Sequence, residues 1–177
     1  MYSQGNEEEI ITNYFNGRIG TLLDIGANDG KTISNSLKLI EMGWNAVLIE
    51  PSTKPFKLLY EFHKCNKKVT CLKIAISNVN GKVDFYSSAE LPPYKGSVGL
   101  VSTMDLEEKI LWNNITTFEK EIVRSKTFSS FLKDSPIKLF NFISIDAEGL
   151  DYSILQQIDL ISIGCELICI EWNGRNF

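Results

Sequence analysis

The chain contains one histidine, His63, within "LLYEFHK". A Ser-His-Asp relay needs its imidazole beside the other two partners, and no second histidine widens the choice. His63 reads instead as a helix-surface or partly buried residue. The four cysteines, Cys65, Cys71, Cys165 and Cys169, lie in or beside apolar runs without metal-ligand spacing. On a strand Cys165 and Cys169 share a face two pleats apart, and no histidine or further cysteine pair accompanies them. They read as buried free thiols, which suits a reducing cytoplasm. Apolar runs are short, well under the ~20 residues of a membrane helix. The opening "MYSQGNEEEIITNYF" is acidic and polar, unlike a signal peptide. Basic residues are not in excess: the net charge is −4. That balance gives no general attraction to nucleic acid or to anionic membranes. The short run "KCNKK" (64–68) reads as a solvated turn.

At 177 residues, with 44% hydrophobic and 23% charged, the composition is that of one globular domain over 1–177. Segments alternate between helix-like and strand-like patterns. An amphipathic helix over 7–15, ended by Gly17, forms the N-terminal 1–18 piece. Strands are expected at 21–25, 45–50, 69–76, 139–146 and 166–172, each nearly continuous in apolar residues. Helices are expected at 32–42, with Ile33, Leu37, Leu39 and Ile40 on one face, at 53–64, 106–114, 128–134 and 150–158. "NVNG" (78–81) signals a hairpin into the alternating "KVDFYSS", and 117–127 alternates likewise. Residues 89–102, carrying Pro92, Pro93, Gly96 and Gly99, read as loop. The whole reads as an α/β sandwich with a mostly parallel sheet, plus an antiparallel insertion over 82–126.

The acids fall in a pattern. Asp24, Glu50 and Asp146 each end an apolar strand run. Ligands of open α/β sheets bind outside the carboxyl ends of the strands. "DIGANDG" (24–30) adds a small-residue loop after the first. Its G-x-x-x-G spacing is not the G-x-G-x-x-G of a pyrophosphate site, and an acid just before it repels pyrophosphate. An ammonium or a sulfonium is welcome there. Glu50, twenty residues after Gly30, suits paired hydrogen bonds to ribose hydroxyls, and it also stands where it can cap the helix after Pro51. A ligand with a ribose, an adenine and a cationic methionine end fits these residues better than NAD or ATP.

"LLDIGANDGKT", "VLIEPS", "KIAISNVNGKVDFYSS", "FNFISIDAEGLDYSIL" and "ICIEWNG", in that order over 20–173, resemble the FkbM family of S-adenosylmethionine-dependent methyltransferases. "IDAEG" stands here for the family's "IDVEG". The resemblance implies a Rossmann-like class I methyltransferase fold and O-methylation of a sugar or another small hydroxylated molecule. It implies that Asp24, Gly26, Asn28 and Gly30 hold the methionine end of S-adenosylmethionine, that Glu50 binds the ribose, and that Ala75, Ile76 and Ser77 line the adenine. Asp146, Ala147, Glu148 and Gly149 would shape the floor between cofactor and acceptor, and Ser102 resembles a serine the family places before its middle region.

Asp146 and Glu148 are the expected catalytic bases, with Glu171 behind them, and no metal is assigned. Two alternatives remain open. Asp146, Glu148 and Asp151 could hold a divalent cation, or the chain could be a cofactor-binding or interaction module without catalysis. Sheets of this family usually have seven strands in the order 3-2-1-4-5-7-6. Only "NGRNF" follows the 166–172 strand, so the expected core is 3-2-1-4-5 without the last two strands. Its 166–172 edge is then expected to be covered by self-association, since proteins avoid bare apolar edges.

Overall fold

The computed structural model describes residues 2–92 and 94–172. Five parallel strands form its centre: β1 (Thr21–Ile25), β2 (Asn45–Ile49), β3 (Val69–Leu72), and, later in the chain, Phe142–Ile145 and Leu167–Ile170. Between β3 and these last two lie β4 (Ala75–Ile76), β5 (Gly81–Ser88), β6 (Glu90–Leu91), β7 (Tyr94–Val98) and β8 (Phe118–Lys126), which makes the last two β9 and β10. The sheet order is β10-β9-β1-β2-β3, the 3-2-1-4-5 arrangement expected from the sequence.

Central position explains why these runs are apolar throughout. β1, β2 and β9 are covered on both faces, and their period-2 alternation sorts side chains between two cores. Leu23, Ile25, Val47, Ile49, Ile143 and Ile145 face α5 (Phe128–Asp134) and α6 (Asp151–Leu155). Leu22, Ala46, Leu48 and Phe142 face α1 (Glu7–Phe15), α2 (Leu37–Glu41) and α3 (Thr53–His63). On that second side Phe15 meets Trp44 edge-to-face at 4.6 Å, and the Trp44 indole donates to Arg18 O at 3.0 Å. Each such buried aromatic contributes about 1.5–3 kcal/mol through burial.

Register sets the acids level. Ile25 pairs with Ile49 on one side and with Ile145 on the other. Ile170 pairs with Ile145, and the Glu171 amide donates to Ile145 O at 3.0 Å. Asp24, Glu50, Asp146 and Glu171 therefore arrive together at one end of the sheet.

Several elements differ from their expected form. The helix expected from 32 begins at Leu37, because local hydrogen bonds hold the preceding residues in a loop. Thr32 donates through its amide to Asp29, the Ser34 hydroxyl accepts from the Leu37 amide, and Ile33 sits at φ +54°. Ser, Thr and Asp side chains compete with helix in this way. Ile33 accordingly lines a cavity and is not part of the core. The strand expected over 69–76 is split. Ala75–Ile76 leave the parallel sheet and pair with Ser125–Lys126 of β8. β8 in turn pairs antiparallel with β5 from Gly81–Ser125 to Ser88–Phe118. Residues 89–102, expected as loop, contain the β6–β7 hairpin. Cys65 is exposed and the other three cysteines are half-buried, all four free. His63 is buried at the end of α3. Among the described residues no helix is long and apolar enough to cross a membrane.

Candidate functional site

A cavity opens at the carboxyl end of the parallel strands, where ligands of open α/β sheets bind. Five carboxylates line it: Asp24, Glu50, Asp146, Glu148 and Glu171. Among the described residues no Lys, Arg or His lines it.

Asp24 is held by α2. The hydroxyl of Ser36, the N-cap residue, donates to Asp24 Oδ2 at 2.5 Å. Burial still pushes Asp24 up to about 6, against that hydrogen bond. Glu50 is held by both of its oxygens. Oε2 accepts from the Asn28 amide at 3.0 Å and Oε1 from the Ser52 amide at 2.7 Å. Ser52 is the N-cap residue of α3, so Glu50 supports the start of that helix while lining the cavity. Burial pushes it up to about 7, although the two amides favour its charge. Asn28, itself at φ +47°, joins three elements. Besides bonding Glu50 it donates from Nδ2 to Val98 O of β7 at 3.1 Å. With the Thr32–Ser97 hydroxyl contact at 3.0 Å, this ties the hairpin to the glycine loop beside the cavity.

Asp146, Glu148 and Glu171 offer oxygens within 4.8 Å of one another. Asp146 has an exposed surface, but it opens on the cavity and the rest of the residue is enclosed by protein. Burial, then the neighbouring Glu171 and Asp151 charges, raise its carboxyl well above the usual range. Glu148 is raised likewise, by burial and then by Asp146 and Glu171. Asp151, expected as a third cation ligand, has another task. Its two oxygens accept from the Ala147 amide at 2.7 Å and the Gly149 amide at 3.1 Å. Glu171 takes its place in the cluster. Glu148 is at φ +46°, and its carbonyl accepts from the Thr103 hydroxyl at 2.7 Å.

Of the residues expected from the sequence, Asp24, Gly26, Asn28, Glu50, Ala75, Ile76, Asp146 and Glu148 line the cavity, as does Ser102. Gly30 and Ser77 do not. Gly30, at φ +75°, packs against α3, where a Cβ would stand 2.5 Å from Leu59 Cδ1. The Ser77 hydroxyl meets that of Ser125 at 2.6 Å, joining β4 to β8. Gly26 is required chiefly by the protein itself, since a Cβ there would meet the Asp146 carbonyl. Glu171 ends "ICIEW" as Asp24 ends "TLLD", so the same strand-end signal identifies it. Phe85, Tyr94, Met104 and Trp112 also line the cavity and carry no local signal of it.

No curated protein matches the chain in sequence. Among solved structures, methyltransferase FkbM from Methylobacillus flagellatus KT is similar at 14% identity and a TM-score of 0.46. The match covers 79% of this chain and 30% of that one, so the chain spans under a third of that protein's length. The sheet and its crevice define an α/β protein with an acid-lined cavity at its strand ends. The Methyltransferase FkbM domain model matches residues 24–177, and the chain belongs to that methyltransferase family.

Proposed function

We propose that this chain transfers a methyl group from S-adenosylmethionine to a hydroxyl oxygen of a small, uncharged acceptor, such as a carbohydrate. One observation carries the reading: five carboxylates surround the cavity and no basic side chain lines it among the described residues. Unbalanced carboxylates in a crevice favour a cationic ligand, and S-adenosylmethionine has a sulfonium and an ammonium. Glu50, oriented by two amides, would accept from the ribose hydroxyls. Asp24, with Gly26 and Asn28, would face the methionine end, and Ala75 and Ile76 the adenine. Gly30 would act by packing the loop on α3.

The cofactor supplies a methyl carbon already activated by the sulfonium charge. The protein's share is then to align the acceptor oxygen with that carbon and exclude water. Asp146 or Glu148 takes the acceptor's proton as the oxygen–carbon bond forms, the sulfur keeping the electron pair of the bond that breaks. Burial and the neighbouring acids favour the protonated form of both in the empty site, Glu148 being pushed up to about 10, so either acts as a base only when a bound cation restores its charged form. Titration of S-adenosylmethionine, S-adenosylhomocysteine, NAD and ATP against the purified protein by calorimetry tests the reading. The two adenosyl ligands should bind, and Glu50→Ala should weaken them about tenfold through a lost charged hydrogen bond. Selective binding of NAD or ATP overturns it, and unchanged affinity in folded Glu50→Ala removes Glu50 from the site. Cofactor binding without transfer to any acceptor would favour the non-catalytic module.

A second reading has its own observation. Asp146, Glu148 and Glu171 lie close enough to share a divalent cation, which could polarise the acceptor hydroxyl. Loss of transfer on chelation, restored by magnesium, would establish it in place of the metal-free base.

A further inference from the structure

S-adenosylmethionine carries a carboxylate beside its ammonium, and an anion set among five carboxylates needs hydrogen-bond donors. The glycine loop has no backbone amide to spare. Gly26 and Ala27 donate to Ile49 O, Asn28 to Glu50, Asp29 to Asn28 Oδ1, Gly30 to Ala27 O, and Lys31 and Thr32 to Asp29 Oδ1. Side chains lining the cavity are committed in the same way. Asn28 Nδ2 donates to Val98 O, Asn35 Nδ2 to Cys169 Sγ at 3.6 Å, and the Thr32 hydroxyl to Asp29 Oδ2. Trp112, which ends α4 (Leu106–Trp112), keeps its indole nitrogen shut off from solvent and so from a ligand in the cavity. Gln4 differs from all of these. It lines the cavity, is exposed, and its amide makes no hydrogen bond among the described residues.

α1 brings Gln4 to that place. The helix runs against the strands: towards its C-terminal end the Tyr14 hydroxyl donates to Glu166 O, and Arg18 pairs with Glu166 at 2.7 Å, just before β10 begins. Its nine residues rise about 13 Å, as do the four of β10, so its first turn comes level with the strand-end acids. The turn ahead of it is pinned to both helices of that side. The Glu8 amide donates to the Ser3 hydroxyl at 3.0 Å, the Gly5 amide to Glu7 at 2.8 Å, and the Tyr2 hydroxyl to Glu41 of α2 at 2.7 Å. Burial, then the charges of Glu7, Asp24 and Asp146, push the Cys169 thiol up to about 11. The start of α1, Asn35 and Asp24 therefore surround one sulfur at the end of β10, on the side assigned to the methionine end. We infer that Gln4 binds the carboxylate of that methionine end, its exposed side-chain amide turning onto the anion and donating a hydrogen bond. A glutamine donates without charge, so it meets the carboxylate without setting a second cation against the ammonium and the sulfonium. The inference rests on the S-adenosylmethionine reading and adds a binding residue that the strand-end pattern does not contain.

The test is calorimetry of two ligands, S-adenosylhomocysteine and its decarboxylated analogue, which keeps the amine and lacks the carboxylate. Each is titrated into the wild-type protein, Gln4→Ala and Gln4→Glu. Gln4 is exposed, so both variants should melt with the wild type. Gln4→Ala should bind S-adenosylhomocysteine about tenfold more weakly, and Gln4→Glu more weakly still, because a like charge then faces the carboxylate. Gln4→Ala should bind the analogue as the wild type does. If Gln4→Ala keeps full affinity for S-adenosylhomocysteine, the carboxylate is held elsewhere: the inference is wrong and the cofactor reading stands. Equal weakening of both ligands assigns Gln4 to the shape of the turn and also overturns it. A wild-type protein that binds neither ligand loses the cofactor reading and this inference together.

Discussion

A Cβ placed on Gly26 would lie 1.7 Å from the carbonyl oxygen of Asp146. The loop after β1 and the end of β9 touch backbone to backbone, so the two acid-bearing strand ends are fixed relative to each other. Gly26 also has φ +94°, a conformation that an L side chain adopts only with strain.

Gly26→Ala is therefore expected to destabilise the fold by at least about 2–3 kcal/mol. The corresponding fall in Tm is roughly 5–10 °C for a domain of this size. Gly30→Ala should cost less, because the atoms nearest its Cβ are the ends of the Leu59 and His63 side chains, which can shift. Thermal melts of both variants check the order. Equal Tm for Gly26→Ala and the wild type would contradict the contact.

The ligand-free protein should lose stability as pH rises from about 4 to 8. Asp24 and Glu50 have folded pKa values raised by burial, from 3.8 to about 6 and from 4.5 to about 7. Each group favours the folded state fully below its unfolded pKa, and that contribution disappears as pH rises through the folded value. Shifts of this size correspond to about 3 kcal/mol per carboxyl. Melts at pH 5 and pH 8 should show the difference, with Glu50→Gln reducing it and saturating S-adenosylmethionine opposing the loss at pH 8. A higher Tm at pH 8 without ligand would show that the carboxyls are not penalised by burial.

Asp146→Asn and Glu148→Gln separate chemistry from binding. The amide at the residue that takes the proton should slow transfer by about 10²–10⁴-fold, with cofactor affinity changed little. Single-turnover rates beside calorimetry read the two effects apart. Normal turnover in both variants would leave alignment as the whole of the protein's contribution.

The fold was legible where tertiary burial and local preference agree. "TLLDI", "NAVLI" and "FISI" are central strands covered on both faces, so a continuous apolar run was the right signal. "FSSFLKD" matched its helix because Thr127 caps it, accepting from the Ser130 amide. At 32–36 the apolar spacing of Ile33, Leu37 and Ile40 pointed to helix, but the hydroxyls of Thr32, Ser34 and Ser36 find partners that hold the loop open. Nothing local marks Lys73–Ile74 as the place where the chain leaves one sheet for another. That turn depends on β8, some fifty residues later. The site divides in the same way. Its carboxylates follow from strand ends, whereas Trp112 and the β6–β7 hairpin reach the cavity only through tertiary contacts.

The remaining expectation, self-association, stays a proposal, and β10 gives it a structural form. β10 stands at the end of the sheet, and among the described residues no strand pairs with its outer side. The Leu167 and Glu171 amides bond inward to Asn141 O and Ile145 O. Strand alternation therefore turns the Ile168 and Ile170 amides outward. Such an edge is a template for another strand, and a second copy related by a two-fold axis would present the same edge antiparallel. Light scattering should then give a particle of twice the 20.0 kDa chain mass, with slowed hydrogen exchange at the Ile168 and Ile170 amides. Ile168→Pro removes an outward donor and no inward hydrogen bond, so a folded variant should return to the monomer mass. A wild-type monomer at every concentration, with Ile168 and Ile170 amides already protected, would mean that this edge is covered from within the chain and would sink the proposal.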